Sequence, residues 1–428
     1  MKNIFSFFKT KKIPDKLHIC LVTKKSPLPG NENDDSYLWP IAYGLAQRGH
    51  EVVVLSWKNK SGRAVVTIGN VKIYFLGEDK KKGESTPFMN LVFNKFQELH
   101  SVKPFHIVHS LDNSAKLIGA ERKNIGVIVT YDVSATQMAQ IFSILGMAQE
   151  TLGGLLSTGV ALFYKYMTTF LSTDRPLLLS ADGVIVSTPL QKIMLERYYL
   201  YPDFKTFIVP YGLDYIETDL KSPSIALREK LNIPLHARVI LTFTDMSEFA
   251  EVANLLRAFQ KVVIKKPNAR LIIMGNGPLK NEIEFEMLNL ALGTKVIFTG
   301  SVASEDIMDY ISISDLYVNL SSRTTGFETT MLESMAQKKV VVGSELSPIA
   351  TIVDDGADGF LIRPADITTL TDLITALFGD EFKSNKTDRT SSEIGLHARE
   401  KVLDLFNVDK MVDQVLIAFN KIILRTNR

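Results

Sequence analysis

The chain has 428 residues, 46% hydrophobic and 22% charged, with 49 Lys and Arg against 47 Asp and Glu for a formal charge of +2. That length exceeds one compact core, and the near-balance of charge argues against a dedicated nucleic-acid binder. The single cysteine, Cys20, excludes an intramolecular disulfide and a cysteine-cluster metal site, and fits a reducing compartment.

In chain order, MKNIFSFFKTKKIPDK has an apolar run of five residues followed by lysines rather than a small-residue cleavage site, so it reads as a tail and not a secretory signal. A short basic amphipathic contact with an anionic membrane is the alternative. From Leu17 the segment LHICLVT is an apolar run of strand length. A Pro/Gly/Asn/Asp loop, a helix-period stretch ending in Gly49 and a second strand, HEVVVLSW, complete one strand-helix-strand unit. Further buried strands are predicted at Val71–Leu76, His106–Ser110, Val127–Thr130, Gly183–Ser187 and Thr206–Val209. Between Val133 and Thr173 the only charges are Glu150 and Lys165. This apolar insert reads as two helices broken near Gly153-Gly154, each too short to span a bilayer. It must be covered by its own core, a second copy, a partner or a membrane face.

A second strand series follows the turn-rich stretch Asp219 to Pro234, at Val239–Thr242, Ala269–Met274, Lys295–Phe298, Leu316–Asn319 and Val340–Val342. Strands apolar on both faces, alternating with helices, imply parallel sheets covered on both sides. The expected organisation is α/β: a first Rossmann-like domain over 1–214 carrying the insert 133–173, a second over 215–400, and terminal helices over 401–428 returning to the first.

One stretch, DLYVNLSSRTTGFETTMLESMAQKKVVVGSELSPIATIVDDGADGFLIRPAD, resembles the nucleotide-sugar half of family-4 retaining glycosyltransferases. LAQRGHEVVVLSW, FHIVHS, ADGVIVST, IVPYGLD, IIMGNGPL and VIFTGSV fall in the family's order over nearly the whole chain. The resemblance implies the glycosyltransferase B-fold, two Rossmann-like domains facing across a cleft. It also implies a UDP- or GDP-linked sugar as ligand, with no cofactor or metal required. It places Glu333 on the nucleotide ribose, and Gly275, Gly277, Gly326, Thr325 and Thr330 around the nucleotide. His109 and Asp132 fall toward the reacting centre.

The resemblance also exposes departures. Where the family has an Arg and a Lys to neutralise the leaving diphosphate, this chain has Asp245 and Ala250. Val239 to Leu256 holds no Lys or Arg and three acids, Asp245, Glu248 and Glu251. Two unit charges about 4 Å apart interact by roughly 4 kcal/mol at an effective dielectric near 20, so replacing attraction by repulsion at the phosphates costs several kcal/mol. Thr325 stands where the family has a first Glu, and Asp132 where it has a His. Glu32-Asn33, with Gly30 nearby, stands for a glycine pair, and Leu346 to Thr351 for a Gly-Gly-x-x-Glu stretch. Lys338 and Lys339 are the nearby cations that could substitute as a clamp.

Two readings follow. The first is a degenerate enzyme that binds a ligand or partner. The second is an active retaining transferase of cell-envelope or polysaccharide synthesis. Both place the protein in the cytoplasm, with self-association or peripheral contact at the inner membrane face through 133–173.

Overall fold

The computed structural model describes residues 14–25, 38–57, 62–77, 88–137, 159–160, 163–164, 166–168, 170–214, 219–321, 329–345, 348–379 and 381–426. They form two compact units. The first holds the described residues up to 137, 159–210 and the last helix from Val408; the second holds 211–407.

The first unit is built on an eight-stranded sheet in the order β3-β4-β2-β1-β5-β6-β7-β8. Its strands are β1 (His18–Val22), β2 (Glu51–Ser56), β3 (Val65–Ile68), β4 (Val71–Phe75), β5 (Ile107–Ser110), β6 (Ile128–Asp132), β7 (Gly183–Val186) and β8 (Thr206–Ile208). All neighbours are parallel except β3 and β4. Residues of β1 and β5 are buried throughout, as strands covered on both faces must be. The helices are α1 (Leu38–Gln47), α2 (Phe88–Val102), α3 (Lys116–Ile125), α4 (Arg175–Leu179) and α5 (Pro189–Tyr199).

The second unit has six parallel strands in the order β11-β10-β9-β12-β13-β14. They are β9 (Val239–Phe243), β10 (Arg270–Met274), β11 (Val296–Gly300), β12 (Leu316–Asn319), β13 (Val340–Ser344) and β14 (Phe360–Ile362). Between and after them run α6 (Ile225–Lys230), α7 (Phe249–Lys265), α8 (Lys280–Asn289), α9 (Ser304–Ile313), α10 (Thr329–Ala336), α11 (Ile367–Leu377) and α12 (Ser391–Leu405). Leu256, Phe259 and Val262 of α7 share one core with Leu271 and Ile273 of β10 and with Ile374 of α11.

The last helix, α13 (Val408–Thr426), belongs to the first unit. Val412, Val415 and Phe419 lie in the core with Leu38, Ile41 and Leu45 of α1. Arg48 ties its outer face through Asp409 and Asp413.

Two doubly wound α/β units match the expected fold class. The strands read from the sequence all form, and two more join them. β3 is an edge strand with Val65 and Ile68 43% and 36% exposed, so it lacks the apolar signature of a covered strand. The Gly69-Asn70 turn after it is nevertheless a hairpin signal. β14 has three residues, too few for a period to register.

Candidate functional site

In the second sheet the chain starts at β9, places β10 on one side and β12 on the other, and so reverses its order between β9 and β12. Ligands of open parallel sheets sit beyond the carboxyl ends of the strands at such a point. The residues gathered there are Thr244 to Ser247 after β9, the Gly275 to Gly277 loop after β10, and Asn319 to Ser321 ending β12.

The two glycines are required by packing. A Cβ on Gly275 would stand 1.8 Å from the Thr244 carbonyl oxygen, and one on Gly277 1.7 Å from that of Asp245. Gly275 also takes φ 110°, and its N–H donates to Gly300 O. The loops after β9, β10 and β11 are thus stacked backbone on backbone. The sequence-predicted Asp245, Gly275 and Gly277 come together here, and a close approach of loops explains both glycines before any ligand is considered.

The amino end of α7 carries its own anions. Glu248 is the residue before the helix and Glu251 sits in its first turn, 7% and 4% exposed. The Thr244 hydroxyl donates to Glu251 Oε2 at 3.2 Å, and Thr244 Oγ1 accepts the Met246 N–H at 3.0 Å. Carboxylates at a helix N-terminus are stabilised by its exposed N–H groups. Glu248 makes no side-chain cap hydrogen bond to those groups, but two carboxylates at this helix start oppose a phosphate there. Asp245 and Ala250 are both exposed, and Asp245 accepts the Ser247 N–H at 3.0 Å.

Across the switch point the edge is of opposite character. Asn319, fully buried and paired in register with Gly343 of β13, accepts the Ser321 N–H on Oδ1 at 2.9 Å. Accepting a backbone N–H fixes which end of the amide is oxygen, and among the described residues the Nδ2 donor has no partner. An unmet buried donor costs about 1–3 kcal/mol, so this amide favours an incoming acceptor oxygen. Sequence reasoning passed over Asn319; its signal was a polar residue closing a run of covered strand. Thr330 and Glu333 follow on α10, one turn apart, 2% and 8% exposed. Thr325 and Gly326 lie outside the described residues, as do Gly30, Glu32, Asn33, Leu346 and Ser347. Pro348 to Thr351 form a short turn whose Ile349 packs against Gly343.

Lys338 and Lys339 are placed elsewhere. They follow α10 and precede β13, at the amino edge of the sheet, opposite the switch point. The Lys339 ammonium donates to Ser312 O at 3.0 Å and Ser314 O at 2.7 Å, the carbonyls closing α9, and burial lowers its pKa. Lys338 is exposed and takes φ 59° in the turn that ends α10, a left-handed position costing a side chain roughly 1–2 kcal/mol. That geometry gives neither lysine a path to a phosphate at the far edge.

In the first unit, Asp132 ends β6 and is 9% exposed. Its Oδ1 accepts the Ser134 N–H at 2.8 Å and caps the turn Val133–Ala135. His109 has no exposed surface. The Thr130 hydroxyl donates to Val108 O and accepts from His109 Nδ1 at 3.0 Å, leaving Nε2 unpartnered beside the Phe419 ring, 5.8 Å between centroids. Burial pushes the imidazole down to about 4, so it is neutral at pH 7. Full burial gives it no face to offer an acceptor in this conformation. Most of the apolar insert, 138–158, lies outside the described residues. Among the described residues no helix is long and apolar enough to cross a membrane, and no three His, Cys, Asp or Glu cluster as metal ligands would.

The family model for "Glycosyl transferases group 1" matches residues 224–393. Among curated proteins, the chain is 26% identical over 230 residues to N-acetyl-alpha-D-glucosaminyl L-malate synthase of Bacillus anthracis, covering 54% of this chain and 58% of that one. It is also 26% identical over 192 residues to alpha-monoglucosyldiacylglycerol synthase of Streptococcus pneumoniae, covering 44% and 43%. The chain thus spans about half the length of these relatives. Among solved structures, sucrose-phosphate synthase of Thermosynechococcus elongatus superposes with TM-score 0.71 at 19% identity, over 95% of this chain and 98% of that one. HepE of Anabaena, in complex with UDP and glucose, gives 0.70 at 17% identity over 94% and 99%. The fold is therefore the glycosyltransferase B-fold, and the chain is glycosyltransferase-like, with a group 1 domain over 224–393.

Proposed function

We propose that the chain is a degenerate glycosyltransferase of the family-4 type, which binds a nucleotide or nucleotide sugar on its second unit and engages a ligand or partner without conventional donor turnover. The observation that carries this reading is the acidic start of α7. Glu248 and Glu251 are buried at the helix end beside the switch point, within a segment from Val239 to Leu256 that has no Lys or Arg. A leaving diphosphate needs positive charge aimed at it, and here two carboxylates precede it. Glu333 holds the ribose hydroxyls, Asn319 Nδ2 meets an acceptor oxygen of the nucleotide, and Thr330 lines the same side. UDP-linked sugars are the first ligands to test, since HepE was crystallised with UDP and with UDP-glucose. Asp132 and His109 act as a turn cap and a core residue.

A second reading, an active retaining transferase of cell-envelope or polysaccharide synthesis, is favoured by the unpartnered Asn319 amide at the switch point. The names of the relatives, a glucosaminyl malate synthase and a glucosyldiacylglycerol synthase, agree with it. On either reading the apolar insert 133–173 is used for self-association or for peripheral contact with the inner membrane face.

Calorimetric titration with UDP, GDP and their sugar conjugates, with and without magnesium, tests both readings when repeated on Glu333→Ala and paired with an assay for UDP release. Micromolar binding lost in Glu333→Ala, without release, supports the first. Release supports the second. No binding to any nucleotide overturns the nucleotide site itself.

A further inference from the structure

The described helical residues between 159 and 171 carry one exposed apolar face. Val160, Phe163, Tyr164, Met167 and Leu171 are 70%, 68%, 71%, 37% and 49% exposed. At 3.6 residues per turn Val160, Phe163, Tyr164 and Met167 fall within about 100° of arc, the width of the stripe a surface helix normally turns inward, and Leu171 lies in the π-helical turn Phe170–Asp174 that follows. Here it cannot turn inward, because the other face is already anchored. Tyr166 stacks on Phe170 at 5.4 Å, both rings pack on Tyr199, and the Tyr166 hydroxyl donates to Tyr198 O. Tyr199 in turn donates to Asp174 at 2.9 Å, and Asp174 also accepts the Gln137 N–H.

The segment packed against this helix exposes apolar residues too. At and beyond the end of α5, Tyr198, Leu200 and Phe204 are 50%, 82% and 59% exposed. Its rim is cationic. Arg175 follows the helical face, Arg197 adjoins Tyr198, and the Arg425 guanidinium stands 5.7 Å from the centre of the Phe204 ring, with Lys421 one turn before it on α13. Among the described residues none of these four makes an ion pair. Of the nearby acids, Asp203 is paired with Lys192 and Asp174 is buried, which leaves Glu196. Exposed aromatics with a polar tip, aliphatic side chains and unpaired cations on one surface match the boundary between the acyl and headgroup layers of an anionic bilayer. A second copy set face to face would bring the cationic rim against itself, and like charges at an interface cost affinity.

We infer that this face of the first unit, centred on Phe163, Tyr164 and Leu200, docks on an anionic lipid surface. The apolar stripe inserts to headgroup depth and Arg175, Arg197, Lys421 and Arg425 contact the lipid phosphates. This rests on the exposed face alone and is independent of whether the second unit binds a nucleotide.

Flotation of the full-length protein with phosphatidylcholine vesicles, and with vesicles of phosphatidylcholine and phosphatidylglycerol, tests it. The expected result is partition to the anionic vesicles that weakens with salt. It should fall at least about tenfold in the double variant Phe163→Glu, Leu200→Glu, and by roughly fivefold for each cation reversed in Arg197→Glu, Arg425→Glu. Phe163, Leu200 and Arg197 are exposed, so the Phe163→Glu, Leu200→Glu variant and Arg197→Glu alone should keep the wild-type melting temperature, which separates lost docking from lost folding; Arg425 also donates to Phe204 O, so its reversal is read beside Arg197→Glu. Failure of the wild type to partition, or equal partition of both variants, overturns the inference. A dimer in sedimentation equilibrium that the Phe163→Glu, Leu200→Glu variant dissolves, without vesicle binding, assigns the face to a second copy and overturns it as well.

Discussion

The carboxyl edges of the two sheets use their polar side chains differently. In the first unit the described groups beyond β5 and β6 are taken up by the local backbone: Asp112 accepts the Ser114 N–H, Asp132 accepts the Ser134 N–H, Ser110 donates to Asp112 O, and Ser134 donates to Leu111 O. In the second unit the β9 side is acidic and presents acceptor oxygens, with the Thr244 hydroxyl donating to Glu251. The β12 side leaves the Asn319 amide donor unmet. An edge whose polar groups all cap turns is finished as a structure, whereas a buried donor held rigidly without a partner is stable only if the fold tolerates its cost or a ligand meets it. On the proposed function, the donor on the β12 half is the group that would meet a ligand's acceptor oxygen.

The largest expected effect comes from changing the charge of the acidic half. Asp245 and Ala250 are exposed, so Asp245→Arg with Ala250→Lys should fold normally. It should strengthen UDP binding by about 1–3 kcal/mol after solvent screening, roughly tenfold to hundredfold. Calorimetry checks it, and unchanged affinity would mean that the phosphates lie elsewhere. A smaller effect of mixed sign is expected on the open half. Asn319→Leu removes the orphan donor together with the Ser321 contact, so denaturant stability should shift by no more than about 1 kcal/mol while UDP affinity falls about tenfold. If both quantities fell together, Asn319 would be a structural residue like Asp132.

His109 separates the interior of the first unit from both edges. Its imidazole is held near 4 by burial, against 6.5 in the unfolded chain, so the unfolded state binds the extra proton first. Stability is therefore full above pH 6.5 and is lost as pH falls toward 4, by about 2 kcal/mol at pH 5 from this group alone. Urea midpoints measured across that window should flatten in His109→Leu. An unchanged slope would place the titrating groups elsewhere.

The fold was legible because strands covered on both faces cannot hide their composition: LHICLV, VILTF and LIIM read as buried whatever surrounds them. β3 escaped because it is an exposed edge. The site was legible only where it depends on chain order. Glu333 and Thr330 follow a strand on a helix, and sequence order alone places them near the switch point. Lys338 and Lys339 looked adjacent for the same reason, yet an eight-residue helix is about 12 Å long and carries the chain back across the sheet. Asn319 could not be recognised from its letter, since an Asn closing a strand is ordinarily a turn residue. Its burial and its unmet donor exist only in three dimensions.

The smallest expected effect tests the finished edge directly. The Asp132 side chain stands where the resembled family has a catalytic-site His, and here it caps a three-residue turn. Asp132→Ala should cost about 1 kcal/mol of stability, the usual worth of such a cap, and Asp132→Asn, which keeps an acceptor oxygen, should recover most of it. Neither should change UDP affinity or the rate of any UDP release. Should Asp132→Asn fold like the wild type yet abolish a measured transfer, the carboxylate would be acting on substrate. The first unit's edge would then be an active surface rather than a set of satisfied turns.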